Sequence, residues 1–156
     1  MRAAFGRRIP ITSDQAVLNS PPLNSESNGP AGTVAGSKVL LVEDEFLIAL
    51  DIETAMREAG FDVVGLARTA DQAVDFARAQ RPALIIMDIQ LAGKRDGIDA
   101  ALDIYRETGI RCIFATAHHD HATKARADPS CPLGWLMKPY TTVALVRMVK
   151  YALGSL

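Results

Sequence analysis

Residues 82–93 read PALIIMDIQLAG, an apolar run that ends on a carboxylate. The stretch from Ala83 to Met87 is continuously apolar and is opened by Pro82, a pattern typical of a β-strand covered on both faces. An ionised Asp88 at the end of such a strand loses hydration, so it needs a partner charge, a metal ion or an exit to water. The plain alternative is that Asp88 only caps the following loop. This stretch alone does not decide between the two.

The pattern of a short apolar strand followed by a helix recurs along the chain. Strands are predicted at residues 38–42, 62–67, 83–88, 110–116 and 134–138. Helical periodicity follows at residues 46–60, 69–80, 97–109, 118–127 and 141–153. Alternation of this kind predicts parallel βαβ units, and right-handed crossovers place helices on both faces of one sheet. The predicted fold class is therefore α/β, with a doubly wound, five-stranded parallel sheet.

The N-terminal stretch differs in composition from the rest of the chain. Residues 19–37 read NSPPLNSESNGPAGTVAGS, which is rich in Ser, Pro, Asn and Gly. Such a segment has too few periodic apolar positions to offset the entropy lost on ordering. We expect residues 1–37 to be a disordered N-terminal extension and residues 38–156 to form one domain.

Composition excludes several classes of partner. The chain has 156 residues, a formal net charge of −1 and 49% hydrophobic residues, ordinary values for a globular protein. A near-neutral charge gives no electrostatic reason to expect nucleic acid or an anionic membrane as a partner. Cys112 and Cys131 lack the spacing of a metal or redox motif. We therefore predict a cytoplasmic protein with no nucleic-acid partner and no membrane partner.

Polar residues close four of the five predicted strands. In open α/β sheets function gathers at the carboxyl ends of the strands, so these side chains are expected to converge on one edge. Two unit charges about 4 Å apart interact by about 4 kcal/mol at an effective dielectric near 20, and a hard divalent cation relieves such repulsion. Oxygen ligands favour Mg²⁺ or Mn²⁺ over zinc. The residues at this edge are Glu43, Asp44, Asp88, Thr116 and Lys138.

Four segments together resemble a known family. In order and spacing, LLVEDE, IIMDIQLAGKRDGIDA, FATAHHD and GWLMKPY are similar to the motifs of response-regulator receiver domains, the CheY-like family. The resemblance covers residues 38 to about 154 and implies a flavodoxin-like sheet with strand order 2-1-3-4-5 in a receiver of the single-domain type. Phe114, Ala115 and Thr116 also resemble a subgroup marked by Phe-Ala-Thr, from which Ala117 and His118 depart.

The resemblance assigns a nucleophile and a metal site. It implies that Asp88 is the phosphoacceptor, whose carboxylate attacks phosphorus and forms an acyl phosphate. It also implies that Asp44 and Asp88 hold Mg²⁺ (or Mn²⁺), with Glu43 acting through water and Gln90 through its backbone carbonyl. Phosphoryl transfer needs positioning and neutralisation of charge more than a strong base, which suits this set of residues.

The resemblance also implies a switch. Lys138 pairs with Asp88 or with the phosphoryl group, and the Thr116 hydroxyl bonds a phosphoryl oxygen. Movement of Thr116 opens space for the aromatic side chain of Trp135, and the signal then appears on the face made by helix 4, strand 5 and helix 5. A second interpretation of Trp135 stays open, that of a half-buried residue packed near helix 4. Pro139 follows Lys138, at a peptide bond that is often cis in this family.

The function implied is a phosphoacceptor response regulator of a two-component system or phosphorelay. Its partners would be a sensor histidine kinase or histidine phosphotransfer protein and an unknown downstream protein. It would be a monomer or weak dimer, and no enzyme beyond its own phosphorylation and dephosphorylation. A phosphorylation-independent interaction module remains an alternative. An aspartyl-phosphate phosphohydrolase is disfavoured, because such enzymes use Asp-x-Asp and Gln90 stands where the second Asp would be.

Overall fold

A computed structural model describes residues 34–117 and 120–156 of the chain. The strands are β1 (Lys38–Val42), β2 (Asp62–Ala67), β3 (Leu84–Asp88), β4 (Cys112–Thr116) and β5 (Gly134–Met137). The α-helices are α1 (Phe46–Glu58), α2 (Ala70–Gln80), α3 (Gly97–Thr108), α4 (His121–Ala127) and α5 (Thr142–Gly154), and a short 3₁₀ turn covers Asp128–Ser130. Among the described residues, no helix has the length and apolar character that crossing a membrane requires.

The strands form one parallel sheet in the order β2-β1-β3-β4-β5. The predicted fold class and strand order are therefore confirmed. The register sets Val42 beside Met87 and Asp88 beside Ala115, so β1, β3 and β4 end at the same edge. At the next pair Thr116 lies beside Met137, which brings the end of β5 to that edge as well. Parallel pairing in this register carries the polar residues that close the strands to one place.

Helices cover both faces of the sheet, which explains the unbroken apolar runs. Successive side chains of a strand point to opposite faces. Ile85 accordingly packs in the layer that contains α2 and α3, whereas Ile86 packs in the layer that contains α1 and α5. Every residue of β3 is buried. Burial of each large aliphatic side chain contributes about 1.5–3 kcal/mol, so both layers stabilise the central strands.

Most of the helices begin directly after an N-cap residue whose side chain accepts a hydrogen bond from the first turn. Thr69 accepts a hydrogen bond from the Gln72 backbone N–H, and Thr141 accepts one from Ala144 N–H, as N-cap residues do. Helix α4 begins at His121, later than the predicted start at residue 118. Asp120 is the cause, because its backbone is extended and its side chain caps the helix by accepting from Thr123 N–H. The predicted helical residues 118–119 lie outside the described residues.

Residues 34–37 precede β1 and are held against the domain. The Gly36 N–H donates to the Gly60 carbonyl at 2.7 Å, and the Ser37 carbonyl accepts from Asp62 N–H at 3.0 Å. Val34 packs against the α1–α5 layer. The last four residues of the extension expected at 1–37 are thus attached to the domain, whereas the predicted disorder of residues 1–33 lies outside the described residues.

Candidate functional site

Three carboxylates meet at the carboxyl edge of the sheet. Glu43 and Asp44 follow β1, and Asp88 ends the neighbouring strand β3. One carboxylate oxygen from each of the three lies within 4.8 Å of the others. Glu43 is 3% exposed and Asp88 is 6% exposed, so two of the three charges are nearly removed from water. Such charges need compensation, which the sequence pattern predicted would come from a cation.

Lys138 supplies that compensation to both buried carboxylates. Its Nζ lies 2.9 Å from Glu43 Oε2 and 2.8 Å from Asp88 Oδ2. Burial alone would lower the pKa of Lys138, but the hydrogen bonds that it donates to Asp88 and Glu43 outweigh burial and raise it. Burial raises the pKa of the Glu43 carboxyl, although hydrogen bonds from Lys138 and the Glu45 N–H oppose the shift. The site therefore keeps its ammonium charged at every physiological pH.

The remaining oxygens of the two buried carboxylates accept backbone hydrogen bonds. The Glu45 N–H donates to Glu43 Oε1 at 3.1 Å, and the Gln90 N–H donates to Asp88 Oδ1 at 3.2 Å. Each carboxylate is thus held at one oxygen by Lys138 and at the other by the loop that follows its own strand. This double attachment fixes the direction in which both groups point.

Gly97 sets the backbone beside Asp88, a role that the sequence analysis missed. The Gly97 N–H donates to the Ile89 carbonyl at 2.8 Å. A Cβ atom at Gly97 would stand 1.9 Å from the Asp88 carbonyl oxygen and 3.0 Å from Met87 Cγ. Only a residue without a side chain allows α3 to start this close to the end of β3. Glycine at the first position of a predicted helix, where it is a poor helix former, was the signal available in the sequence.

Asp44 and Asp88 line a small cleft of about 240 Å³. The three carboxylates Glu43, Asp44 and Asp88 offer only oxygen as metal ligands, and beside the single ammonium of Lys138 they leave an excess of negative charge. This composition fits a hard divalent cation such as Mg²⁺ or Mn²⁺, which prefers oxygen ligands. Among the residues lining the cleft, Gln90 and Ala117 come from the loops after β3 and β4. The lining residues are Asp44, Glu45, Asp88, Gln90, Ala117 and Lys138.

Thr116 and Trp135 lie on the β4–β5 side of this edge. Thr116 is buried at the end of β4, and its carbonyl accepts a hydrogen bond from the Lys138 N–H at 2.9 Å. Trp135 is half-buried and stacks on Phe114, with ring centroids 4.8 Å apart. The Lys124 ammonium of α4 lies 5.9 Å from the centroid of the Trp135 ring. A packing contact with the sheet and α4 is therefore present, and the switch role of Trp135 stays a prediction.

Arg68 is a second residue that the sequence analysis missed. It directly follows β2, which is the one predicted strand that no polar residue was expected to close. Its Nη2 donates a hydrogen bond to the Asp44 carbonyl at 3.1 Å. Looking for a polar residue one position after the end of this strand would have found it.

Lys138–Pro139 is the cis peptide bond in the described part of the chain.

The sequence matches a known family over nearly all of this domain. A family model described as the response regulator receiver domain matches residues 39–150. The chain belongs to the response-regulator receiver family. Receiver domains are regulatory modules rather than enzymes of the classical kind, and their family interacts with kinases or phosphotransfer proteins.

Two curated relatives and one solved structure illustrate the similarity of this receiver domain. Over 117 residues it is 34% identical to the transcriptional regulatory protein PdtaR of Mycobacterium tuberculosis, covering 75% of this chain and 57% of PdtaR. It is 36% identical over 117 residues to the phyllosphere-induced regulator PhyR of Methylorubrum extorquens, covering 74% and 44%. The signal receiver domain of a modulated diguanylate cyclase from Desulfovibrio desulfuricans superposes with a TM-score of 0.71 at 32% identity, covering 77% and 95%. The chain spans about half the length of the curated relatives it matches.

Proposed function

We propose that this receiver domain is the phosphoacceptor of a two-component system or phosphorelay and is phosphorylated on Asp88. The observation that carries the proposal is the position of Asp88, whose carboxylate reaches a solvent-open cleft while Lys138 and a backbone N–H hold it. In the reaction a carboxylate oxygen forms a bond to phosphorus, and the bond between phosphorus and the donor's leaving atom breaks. The leaving group departs with the bonding electrons, and Asp88 becomes an acyl phosphate.

The acidic group favours magnesium dependence. Asp44 and Asp88 would hold Mg²⁺ directly, with Glu43 acting through water and Gln90 through its carbonyl oxygen. When bound, the ion neutralises charge on the phosphoryl oxygens. Lys138 pairs with the same oxygens from the β5 side, where it already donates to Asp88.

The output is proposed to appear on the face made by α4, β5 and α5. Thr116, buried at the end of β4, hydrogen-bonds a phosphoryl oxygen once Asp88 is modified. Trp135 responds because it stacks on Phe114, two residues before Thr116 in the same strand. The contact between Lys124 of α4 and the Trp135 ring extends this path to the surface of the domain.

The partners follow from the chemistry of the acceptor. A sensor histidine kinase or a histidine phosphotransfer protein would supply the phosphoryl group in the cytoplasm, and a downstream protein would read the α4-β5-α5 face. The family membership and the names of the curated relatives, both called regulators, support this assignment. Turnover of small phosphorylated substrates is disfavoured, because Gln90 offers no general acid. A phosphorylation-independent interaction module is the second candidate.

The fluorescence of Trp135, the single tryptophan of the chain, tests the proposal. We expect Mg²⁺ followed by acetyl phosphate or beryllofluoride to change the emission of the native protein, and Asp88→Asn to lose that response to the phosphodonor. Intact mass should show one added phosphoryl group on the native protein alone. Folded native protein that gains no mass with acetyl phosphate and Mg²⁺ would contradict the phosphoacceptor role and favour the interaction module.

A further inference from the structure

Helix α4 is short and buries little apolar surface. Of its seven residues, only Ala127 is buried. Because hydrophobic stabilisation is proportional to the apolar area removed from water, one alanine methyl group holds the helix only weakly. The position of α4 against its neighbours therefore depends on the charged side chains that reach from it to other elements.

Arg126 of α4 bonds two carboxylates at the start of α3. Its Nη1 lies 2.6 Å from Asp96 Oδ2, and its Nη2 lies 2.7 Å from Asp96 Oδ1 and 2.9 Å from Asp99 Oδ1. Burial alone would raise the pKa of Asp96, but hydrogen bonds from Arg126 and from backbone N–H groups outweigh burial and lower it. Paired bonds from the planar guanidinium to one carboxylate fix both distance and direction. We call Arg126, Asp96 and Asp99 the Arg126 clamp.

The clamp is anchored on the part of α3 that packs against the end of β3. The Asp96 side chain caps α3 by accepting hydrogen bonds from the N–H groups of Ile98 and Asp99, and Asp99 accepts one from the Asp96 N–H in return. Gly97 follows Asp96 and approaches the Asp88 carbonyl too closely for a side chain. This anchor cannot shift without displacing the backbone of Asp88. A change in the distance between α3 and α4 must therefore come from movement of α4.

A second cation connects α4 to β5. Lys124 Nζ lies 5.9 Å from the centroid of the Trp135 ring, which is proposed to respond when Asp88 is phosphorylated. Such a response reaches α4 at Lys124, while Arg126 holds the same helix against α3. Any shift of α4 relative to α3 breaks at least one hydrogen bond of the clamp, because the forked contact fixes distance and direction. The clamp thus stabilises the arrangement in which the Asp88 carboxylate bonds Lys138.

We propose that the Arg126 clamp holds α4 in a resting position and opposes the change that phosphorylation of Asp88 produces. The inference rests on the proposed function, and it makes Arg126 a positioning residue, since Arg126 does not line the cleft. Coupling between two sites is reciprocal, so a contact made only in the resting arrangement weakens binding of a phosphoryl mimic at Asp88. Loss of the clamp should therefore tighten that binding.

Titration of beryllofluoride at saturating Mg²⁺, followed by Trp135 emission of the full chain, tests the proposal. We expect Arg126→Met to reach half-saturation at a concentration about threefold lower than the native protein, the size expected for a partly exposed ion pair. Arg126→Lys should lie between the two, because an ammonium keeps the charge but cannot make the forked contact. Loss of a positive charge by itself would weaken binding of an anion, and damage to the fold would weaken it too, so neither can produce the expected tightening.

Arg106→Met is the matched control, because it removes the same charge from an exposed arginine whose ion pair, with Asp103, lies within α3. Its half-saturation should be native, and circular dichroism should show all variants folded. Unchanged or weaker binding in Arg126→Met, beside a native protein that responds, would overturn the clamp and leave the phosphoacceptor role standing. Equal tightening in Arg106→Met would also overturn the clamp. A native protein that neither responds nor gains mass would overturn the phosphoacceptor role, and this inference with it.

Discussion

Replacing Lys138 with Met is expected to lower the free energy of unfolding by about 2 kcal/mol at neutral pH, in buffer without divalent cations. The substitution keeps most of the apolar stem but removes the one ammonium that bonds both Glu43 and Asp88. Removing one partner of a fully buried ion pair costs about 3–5 kcal/mol, and the open cleft reduces this cost. Urea denaturation of native and variant protein measures the difference.

The stability lost in Lys138→Met should depend on pH, and the pKa shift of Glu43 gives the direction of this dependence. Burial already raises the pKa of Glu43 in the native protein, and removing the hydrogen bond from Lys138 raises it further. In the pH range above the ordinary carboxyl pKa, the folded variant then binds a proton that the unfolded chain does not. Stability therefore falls as pH rises through this range, so the deficit of Lys138→Met is smaller near about pH 5 than near about pH 8.

Lys94→Met is the control for this prediction. Lys94 is an exposed lysine in the loop before α3, and its replacement removes the same charge from a site where solvent screens it. We expect its stability to match that of the native protein at both pH values. Equal deficits of Lys138→Met at acidic and alkaline pH would show that lost packing, rather than the unpaired carboxylates, causes the change.

Replacing Gly97 with Ala is expected to lower the free energy of unfolding more than a methyl group added at any other position near the site. The new Cβ would lie 1.9 Å from the Asp88 carbonyl oxygen, so the start of α3 and the end of β3 must move apart. Overpacking in a well-packed region typically costs about 1–3 kcal/mol, and a clash with backbone belongs at the upper end of that range. We also expect the Trp135 response to phosphodonor to weaken, because the displaced strand end carries the Asp88 carboxylate.

Gly154→Ala provides the matched control, since Gly154 is the last residue of α5 and a Cβ there meets no atom within 4 Å. Alanine is the better helix former, so this variant should be as stable as the native protein or slightly more stable. Thermal unfolding of both variants, followed by fluorescence titration, makes the comparison. If Gly97→Ala kept native stability and the native fluorescence response to phosphodonor, the prediction would be wrong. Strand β3 and helix α3 would then be able to move apart at no measurable cost.

Much of the fold could be predicted because local patterns and global topology agree. Apolar runs such as residues 83–87 predict strands covered on both faces, and Thr69 marks the start of a helix because its side chain accepts a hydrogen bond from the first turn. The right-handed crossovers and the alternation of strands with helices then allow only a few topologies. The start of α4 was predicted too early, because capping by Asp120 competes with the helical propensity of the residues around it.

The sequence by itself determined the parallel α/β fold and the set of residues that close its strands, because parallel strands must end at a common edge. Only the tertiary structure decided how those residues meet. Lys138 bonds two carboxylates that lie far from it in the chain, and Gly97 packs against the Asp88 carbonyl at a distance that no periodicity encodes. Such contacts depend on the register and separation of whole elements, which a linear pattern does not contain.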